Sequence, residues 1–192
     1  DNGRILVNAG KEDKIQLVLD GVSVHCKDNA PLFIQQADKV FLTLAQGSEN
    51  SFSDEGAYTL GEEDANVDAP LFSRADLTIN GEGSLTVTAT DKHGIVSKDD
   101  LVITGGTITA TGKQDGAGIG GGYGYDGDVT ISGNAKIENA TGGYGAAGIG
   151  GGAFASPDKI GNGTVVIKDN AEIDNVQGGA YGAGIGGGQG GA

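Results

Sequence analysis

The sequence predicts an all-β chain wound as a right-handed parallel β-helix, a solenoid of about six rungs forming one domain over residues 1–192. Three observations predict it. First, LTINGEGSLTVTATDKHGIVSKDD, from Leu77, is followed by LVITGGTITATGKQDGAGIGGG, ending at Gly122, and the two are versions of one pattern. Second, apolar residues alternate with period two among Thr, Val and Ile, and no stretch of a dozen residues places them at helical spacing. Third, the pattern recurs along the chain, and such self-similarity marks repeat architectures.

Each unit reads as three short strands. The first carries an apolar pair, Leu77/Ile79 or Leu101/Ile103, followed two residues later by Gly81 or Gly105. The second is Leu85/Val87 or Ile108/Ala110, and the third follows a polar turn at Gly94-Ile95-Val96 or Gly116-Ala117-Gly118-Ile119. First strands recur at Ile15/Leu17/Leu19, Val40/Leu42/Leu44, Val129/Ile131 and Val165/Ile167. An antiparallel sandwich would not repeat one three-strand order. Stacked units place each strand beside its copy, so Ile79, Ile103, Ile131 and Ile167 form one inward ladder and Ile119, Ile149 and Ile185 another. Rungs about 4.8 Å apart make a rod roughly 30 Å long, and parallel crossovers favour the right hand.

Ile5 and Val7 read as a third strand, so the chain starts and stops part-way through a unit, as an excised piece of a longer protein would. Residues 1–111 form one style of rung. Residues 112–192 are glycine-rich, with GAGIGGG-type segments, but keep the period, so no domain boundary is placed between them.

The runs KIQLVLDGVSV, ADKVFLTLAQGSENSFSD and ADLTINGEGSLTVTATDKHGIVSKDDLVITGGTITAT carry a resemblance. They resemble a family of clostridial-type bacterial surface proteins with a carbohydrate-binding domain, similar to a right-handed parallel β-helix protein that binds cellulose and polygalacturonate. The match covers about residues 4 to 120, most specifically at SKDDLVITGGTI, and says less about the last third. It implies non-catalytic, calcium-assisted glycan binding at the cell surface or outside the cell.

Composition bounds the alternatives. With 12 basic and 26 acidic residues the formal charge is −14, which disfavours nucleic acid. No run is long enough to insert in a membrane. Cys26, the one cysteine, follows Val24 by two and reads as a buried thiol. The recurring segments at Gly116–Gly122, Ala146–Gly152 and Gly182–Gly188 look like phosphate-cradling loops, but no helix follows, and repetition on successive rungs reads as structural.

Stacked turns bring carboxylates together, and calcium relieves their repulsion through oxygen ligands. The turn acids Asp99, Asp100, Asp115 and Asp91 are candidates, and the resemblance favours the first three. His93 is expected where Asp115 stands one rung later, which removes a hard-cation ligand there. GGYGYDGDV, from Gly121, nearly matches a calcium-binding β-roll nonapeptide, offering Asp126 and Asp128. The excursion DEGAYTLGEEDANVD, Asp54 to Asp68, reads as a solvated acidic loop or a ligand site.

Tyr123, Tyr125, Tyr144 and Tyr181 lie beside glycine-rich corners, where a strip of rings would stack on sugars. Lys98, beside Asp99 and Asp100 with Arg74 one rung earlier, is the base that a calcium-dependent polysaccharide lyase would need. An exposed lysine stays protonated and makes a poor base, so a non-enzyme is expected. The outward column Thr86/Thr88, Thr107/Thr109, Lys136/Glu138 loses its threonines after two rungs, too few for an ice-binding array. The leading expectation is a plant-polysaccharide-binding module for a polymer such as cellulose or polygalacturonate. An adhesin binding a host surface protein is the alternative, and the lyase a second one.

Overall fold

A computed structural model of the chain describes residues 2–56, 58–120, 128–153 and 164–190. Three parallel sheets are visited in strict rotation. Sheet B holds Lys14–Leu19, Lys39–Leu44, Asp76–Gly81, Leu101–Ile103, Val129–Ile131 and Val165–Ile167. Sheet C holds Ser23–Cys26, Glu49–Asp54, Ser84–Thr88, Thr107–Thr111, Lys136–Thr141 and Glu172–Ile173, with Val176–Gln177 pairing beside it. Sheet A holds Ile5–Asn8, Leu32–Gln36, Leu71–Ser73, Ile95–Ser97, Ile119–Gly120, Ile149–Gly150 and Ile185–Gly186. Among the described residues the one helical element is the 3-10 turn Glu62–Asp64.

Every pairing is parallel and joins a strand to its copy one turn later, the arrangement expected of a solenoid. Both sequence ladders stand in register: Ile79, Ile103, Ile131 and Ile167 in sheet B, and Ile119, Ile149 and Ile185 in sheet A. The ladders enclose one apolar core between the sheets. Sheet C supplies the column Val24, Phe52, Val87, Ala110 and Ala140. Beyond Phe52 its side chains shrink, and the paired sheet A segments shorten from five residues at Leu32–Gln36 to two at Ile119–Gly120. Glycine enrichment follows from this tightening. A Cβ on Gly116 would lie 2.1 Å from the Lys92 carbonyl, and one on Gly143 would lie 1.9 Å from that of Gln114. The repeated glycine segments are therefore corners where backbone rests on backbone.

Sheet A has a second, outer layer. Phe33, Phe72 and Val96 face away from the main core and are covered by Val67, Tyr58 and Leu60 of the excursion. The acidic loop is thus a flap on an apolar face. Arg4 lies 3.8 Å from Asp64, and Arg74 donates to Asn66 at 2.5 Å, tying the flap at two points.

The outer face of sheet C corrects one expected pairing. Thr86 and Thr88 stand opposite Thr109 and Thr111, because Thr107 pairs with Ser84. A bulge between Ile108 and Thr109 then sets Asn139 and Thr141 next in line. Hydroxyl-bearing residues therefore run through Ser51/Ser53, Thr86/Thr88 and Thr109/Thr111 to Thr141, further than the unbulged alignment gives. Several are tied laterally, as Ser23 to Ser51 at 2.8 Å and Thr109 to Glu138 at 3.3 Å. Cys26 is buried as expected, its thiol 3.6 Å from Asp28 Oδ1.

Candidate functional site

One edge of the coil gathers the flap and most of the candidate side chains. It is the corner where the chain leaves sheet C for sheet A. Successive rungs place there the 54–68 flap, Asp91 to His93, Asp115, Tyr144 and Tyr181.

The flap is anchored by Asp54, a buried carboxylate. Asp54 Oδ2 accepts from the Tyr58 hydroxyl at 2.6 Å, and Oδ1 accepts from the Thr90 amide and hydroxyl, each at 2.8 Å. Burial, with the Asp54 carboxylate beside it, pushes the Tyr58 phenol far above the usual range. Between flap and corner lies a cavity of about 380 Å³ lined by Tyr58, Leu60, Val67, Asp68, Asp91 and Lys92, with Asp54 and Gly56.

Beside this cavity sits a buried polar cluster. Thr111 pairs with Thr88 and Ile119 with Ile95, so the later turn is one residue longer. His93 therefore does not stand where Asp115 stands. It stands against Ala117, whose amide donates to His93 Nδ1 at 3.0 Å. The strand registers continue this column through Ala30, Ala69, His93, Ala117 and Ala147, one imidazole among methyl groups. His93 Nε2 lies 3.9 Å from Asp68 Oδ2, beyond hydrogen-bond reach, and Lys98 Nζ lies 3.9 Å from the same oxygen. Neither His93 Nε2 nor Asp68 Oδ1 has a hydrogen-bond partner.

Lys98 corrects the expectation of an exposed lysine. Its side chain is only 9% exposed, with Nζ 5.3 Å from the Phe72 ring centre, and burial lowers its pKa against the raising field of Asp68. Arg74 is one rung earlier, as expected, and stacks over Phe33 at 5.1 Å. Both cations belong to the layer beneath the flap.

Burial likewise lowers the His93 pKa from 6.5, ahead of the opposing field of Asp68; Lys98 and Lys92 lower it further and Asp115 raises it. Below about 6.5 the unfolded chain takes up a proton that the folded chain refuses, so stability falls as pH falls. The loss is at most about 1.4 kcal/mol per pH unit, and it stops at the folded pKa. His93→Ala, which restores the residue of the neighbouring rungs, is expected to flatten this part of the profile. Melting both proteins at pH 8 and pH 5.5 checks it; parallel shifts would contradict it.

The acids do not form one set. Asp115 is on the sheet C-to-A corner, 3.8 Å from Lys92 Nζ. Asp99 and Asp100 are on the next corner, between Ser97 and Leu101. The expected Asp99–Asp100–Asp115 ligand group is therefore split by a sheet. Asp91 lies with Asp115 on the first corner. Asp128 joins Asp100 instead: the registers stack Asp76, Asp100 and Asp128 on successive rungs. Burial raises the Asp76 carboxyl, and Asp99 and Asp100 add to that rise against Lys39. Among the described residues no three His, Cys, Asp or Glu side chains gather at metal-binding distance. Asp126, Tyr123 and Tyr125 lie outside the described residues.

The two described tyrosines of the expected strip meet. Tyr144 and Tyr181 are 57% and 73% exposed, with ring centres 5.6 Å apart and planes at 76°. Tyr181 holds a left-handed backbone, φ +70°.

The sequence reading missed Tyr58 and the Asp68–His93 contact. The signal for His93 was in the repeat: His93-Gly94-Ile95 aligns with Ala117-Gly118-Ile119 without a gap. No local signal linked Asp68 to it, because the flap's path over sheet A is a tertiary feature.

Comparison with known proteins agrees with this architecture. Residues 1–141 match the family model described as "Carbohydrate-binding domain-containing protein", and the chain belongs to that family. A relative of that same description from Acetivibrio thermocellus is 44% identical over 110 residues, which is 57% of this chain and 38% of the relative. The chain thus spans well under half of that relative's length. A solved structure, a polysaccharide lyase-like protein from C. thermocellum in a gadolinium derivative, superposes with a TM-score of 0.63 at 30% identity, covering 95% of this chain and 82% of that one.

Proposed function

We propose that this chain is a non-catalytic polysaccharide-binding module, working outside the cell or at its surface, on a right-handed parallel β-helix. The exposed Tyr144–Tyr181 pair carries the reading. Two rings left in solvent on adjacent rungs forgo burial, and such aromatic faces suit the C–H faces of sugars. A regular rod adds multivalency, since a polymer meets equivalent contacts at successive rungs. Placement of Lys98 under the flap, against Asp68, supports binding without turnover, because an open cleft does not present its amine.

Calcium belongs to this proposal at the sheet A-to-B corner. Asp76, Asp99, Asp100 and Asp128 bring like charges together there; burial raises the Asp76 carboxyl first, and the charges of Asp99 and Asp100 add to that rise. A hard cation held by two of these carboxylates, with backbone carbonyls and water completing its oxygen shell, would relieve the repulsion.

The proposed polymers are cellulose and polygalacturonate. A chain of charge −14 repels polygalacturonate unless cations bridge the two, so its retention should require calcium and weaken with salt. Retention on cellulose should be indifferent to both. Pull-down on each polymer, with calcium and with chelator, checks this. Chelator should also lower the melting temperature, since a ligand of the native state alone stabilises it, and Asp100→Asn should remove that difference. The lyase-like relative favours a second reading, in which unsaturated sugar products would accumulate. Loss of retention on every glycan would instead favour an adhesin for a host surface protein.

A further inference from the structure

We propose that the cavity beneath the 54–68 flap is a receptor for one ring of a sugar without a carboxylate, a neutral hexose or pentose residue; this rests on the polysaccharide-binding reading and assigns it a selective subsite. At about 380 Å³ the cavity lies at the small end of ligand pockets. Tyr58, Leu60 and Val67 give it an apolar wall for the C–H face of a ring. Opposite them the partly exposed Asp68 carboxylate lines the cavity and brings an acceptor. A ring hydroxyl entering the cavity donates to the accessible edge of this carboxylate. Behind the carboxylate lies the buried His93, its Nε2 3.9 Å from Asp68 Oδ2, so the floor beneath Asp68 is closed and a ligand meets it from the cavity side.

Charge sets the selectivity. Asp54, Asp68 and Asp91 line the cavity, and the lining Lys92 is drawn toward Asp115, 3.8 Å away. Asp54 is fully engaged by Tyr58 and Thr90, so Asp68 and Asp91 face an incoming ligand. A uronate entering here meets like charge in a partly dehydrated space, where repulsion is least screened. This subsite is therefore distinct from the calcium-bridged corner proposed for polygalacturonate, and the two corners divide neutral from acidic glycans.

Titration calorimetry in chelator tests it, with cellotriose, xylotriose, mannotriose and trigalacturonate as probes. At least one neutral triose is expected to bind and trigalacturonate is not. Leu60→Trp, which fills the cavity, should weaken the neutral triose at least tenfold, while Thr109→Lys, on the outer face of sheet C, leaves its affinity within twofold. Asp91→Asn, at a half-buried wall position, should admit trigalacturonate at least threefold better and provides the test should Leu60→Trp fail to fold. Equal binding of trigalacturonate and the neutral trioses in the parent, or no binding of any neutral triose, overturns the proposal. Should the polymers still be retained in that case, the polysaccharide-binding reading stands and only the subsite falls.

Discussion

Ile103→Asp is expected to leave no folded population at 25 °C, while Thr109→Lys, on the outer face of sheet C, melts within a few degrees of the parent. Ile103 is fully buried and stands in register between Ile79 and Ile131. An aspartate there has neither water nor a cation, and its neighbours on both sides are hydrocarbon. Burying an unpaired carboxylate costs several kcal/mol even after it takes up a proton, against a whole-domain stability of about 5–15 kcal/mol. A solenoid makes the loss worse. Each rung is buried by its two neighbours, so a rung that cannot close exposes the rungs on either side. Circular dichroism and a thermal melt of both variants decide the matter. A cooperative melt of Ile103→Asp near that of the parent would mean that the ladder is not what holds the chain together.

The ladders were legible because they are written twice over, in the period of two along each strand and in the repeat between strands. Ile79, Ile103 and Ile131 needed no tertiary knowledge. The failures lie where a rung departs from its neighbours. One extra residue between Thr111 and Ile119 shifted His93 from the position of Asp115 to that of Ala117, a turn one residue shorter before Thr107 set Thr109 and Thr111 against Thr86 and Thr88, and a bulge in Lys136–Thr141 brought Asn139 and Thr141 next in line. Such slips are local changes of length that a periodic reading averages away. Lys98 was misjudged for a different reason. Its neighbours in sequence, Ser97, Asp99 and Asp100, are polar, but the flap that buries it comes from the preceding rung, and its route over Phe33 and Phe72 depends on which face of sheet A is left uncovered. Tyr144 and Tyr181 were found because both are set beside glycines in equivalent corners, so the repeat itself brings them to one edge.

The glycine-rich rungs yield the second large effect. Gly150→Ala is expected to cost about 3 kcal/mol or more, although it adds a single methyl group. Gly150 has φ +127°, a conformation that L side chains rarely adopt, and its added Cβ would sit 2.1 Å from the carbonyl oxygen of Gly186 on the next rung. Strained backbone contributes about 1–3 kcal/mol, and forcing a methyl into a close-packed contact about 1–3 kcal/mol more. The obstacle is backbone, so no side chain can swing aside; the two paired segments must separate, breaking the ladder at Ile149–Gly150 and Ile185–Gly186. Two other glycines separate the causes. Gly47 has φ +70° but nothing within 4 Å of an added Cβ, so Gly47→Ala isolates the conformational cost, about 1 kcal/mol. Gly61 has neither the positive φ nor a neighbour, so Gly61→Ala should be neutral or slightly stabilising, through a less flexible unfolded chain. Urea unfolding of the three variants is expected to rank them Gly61, Gly47, Gly150 in rising cost. If Gly150→Ala costs no more than Gly47→Ala, the glycine-rich corners are not held by backbone contact, and the GAGIGGG repeats need another reason to be glycine.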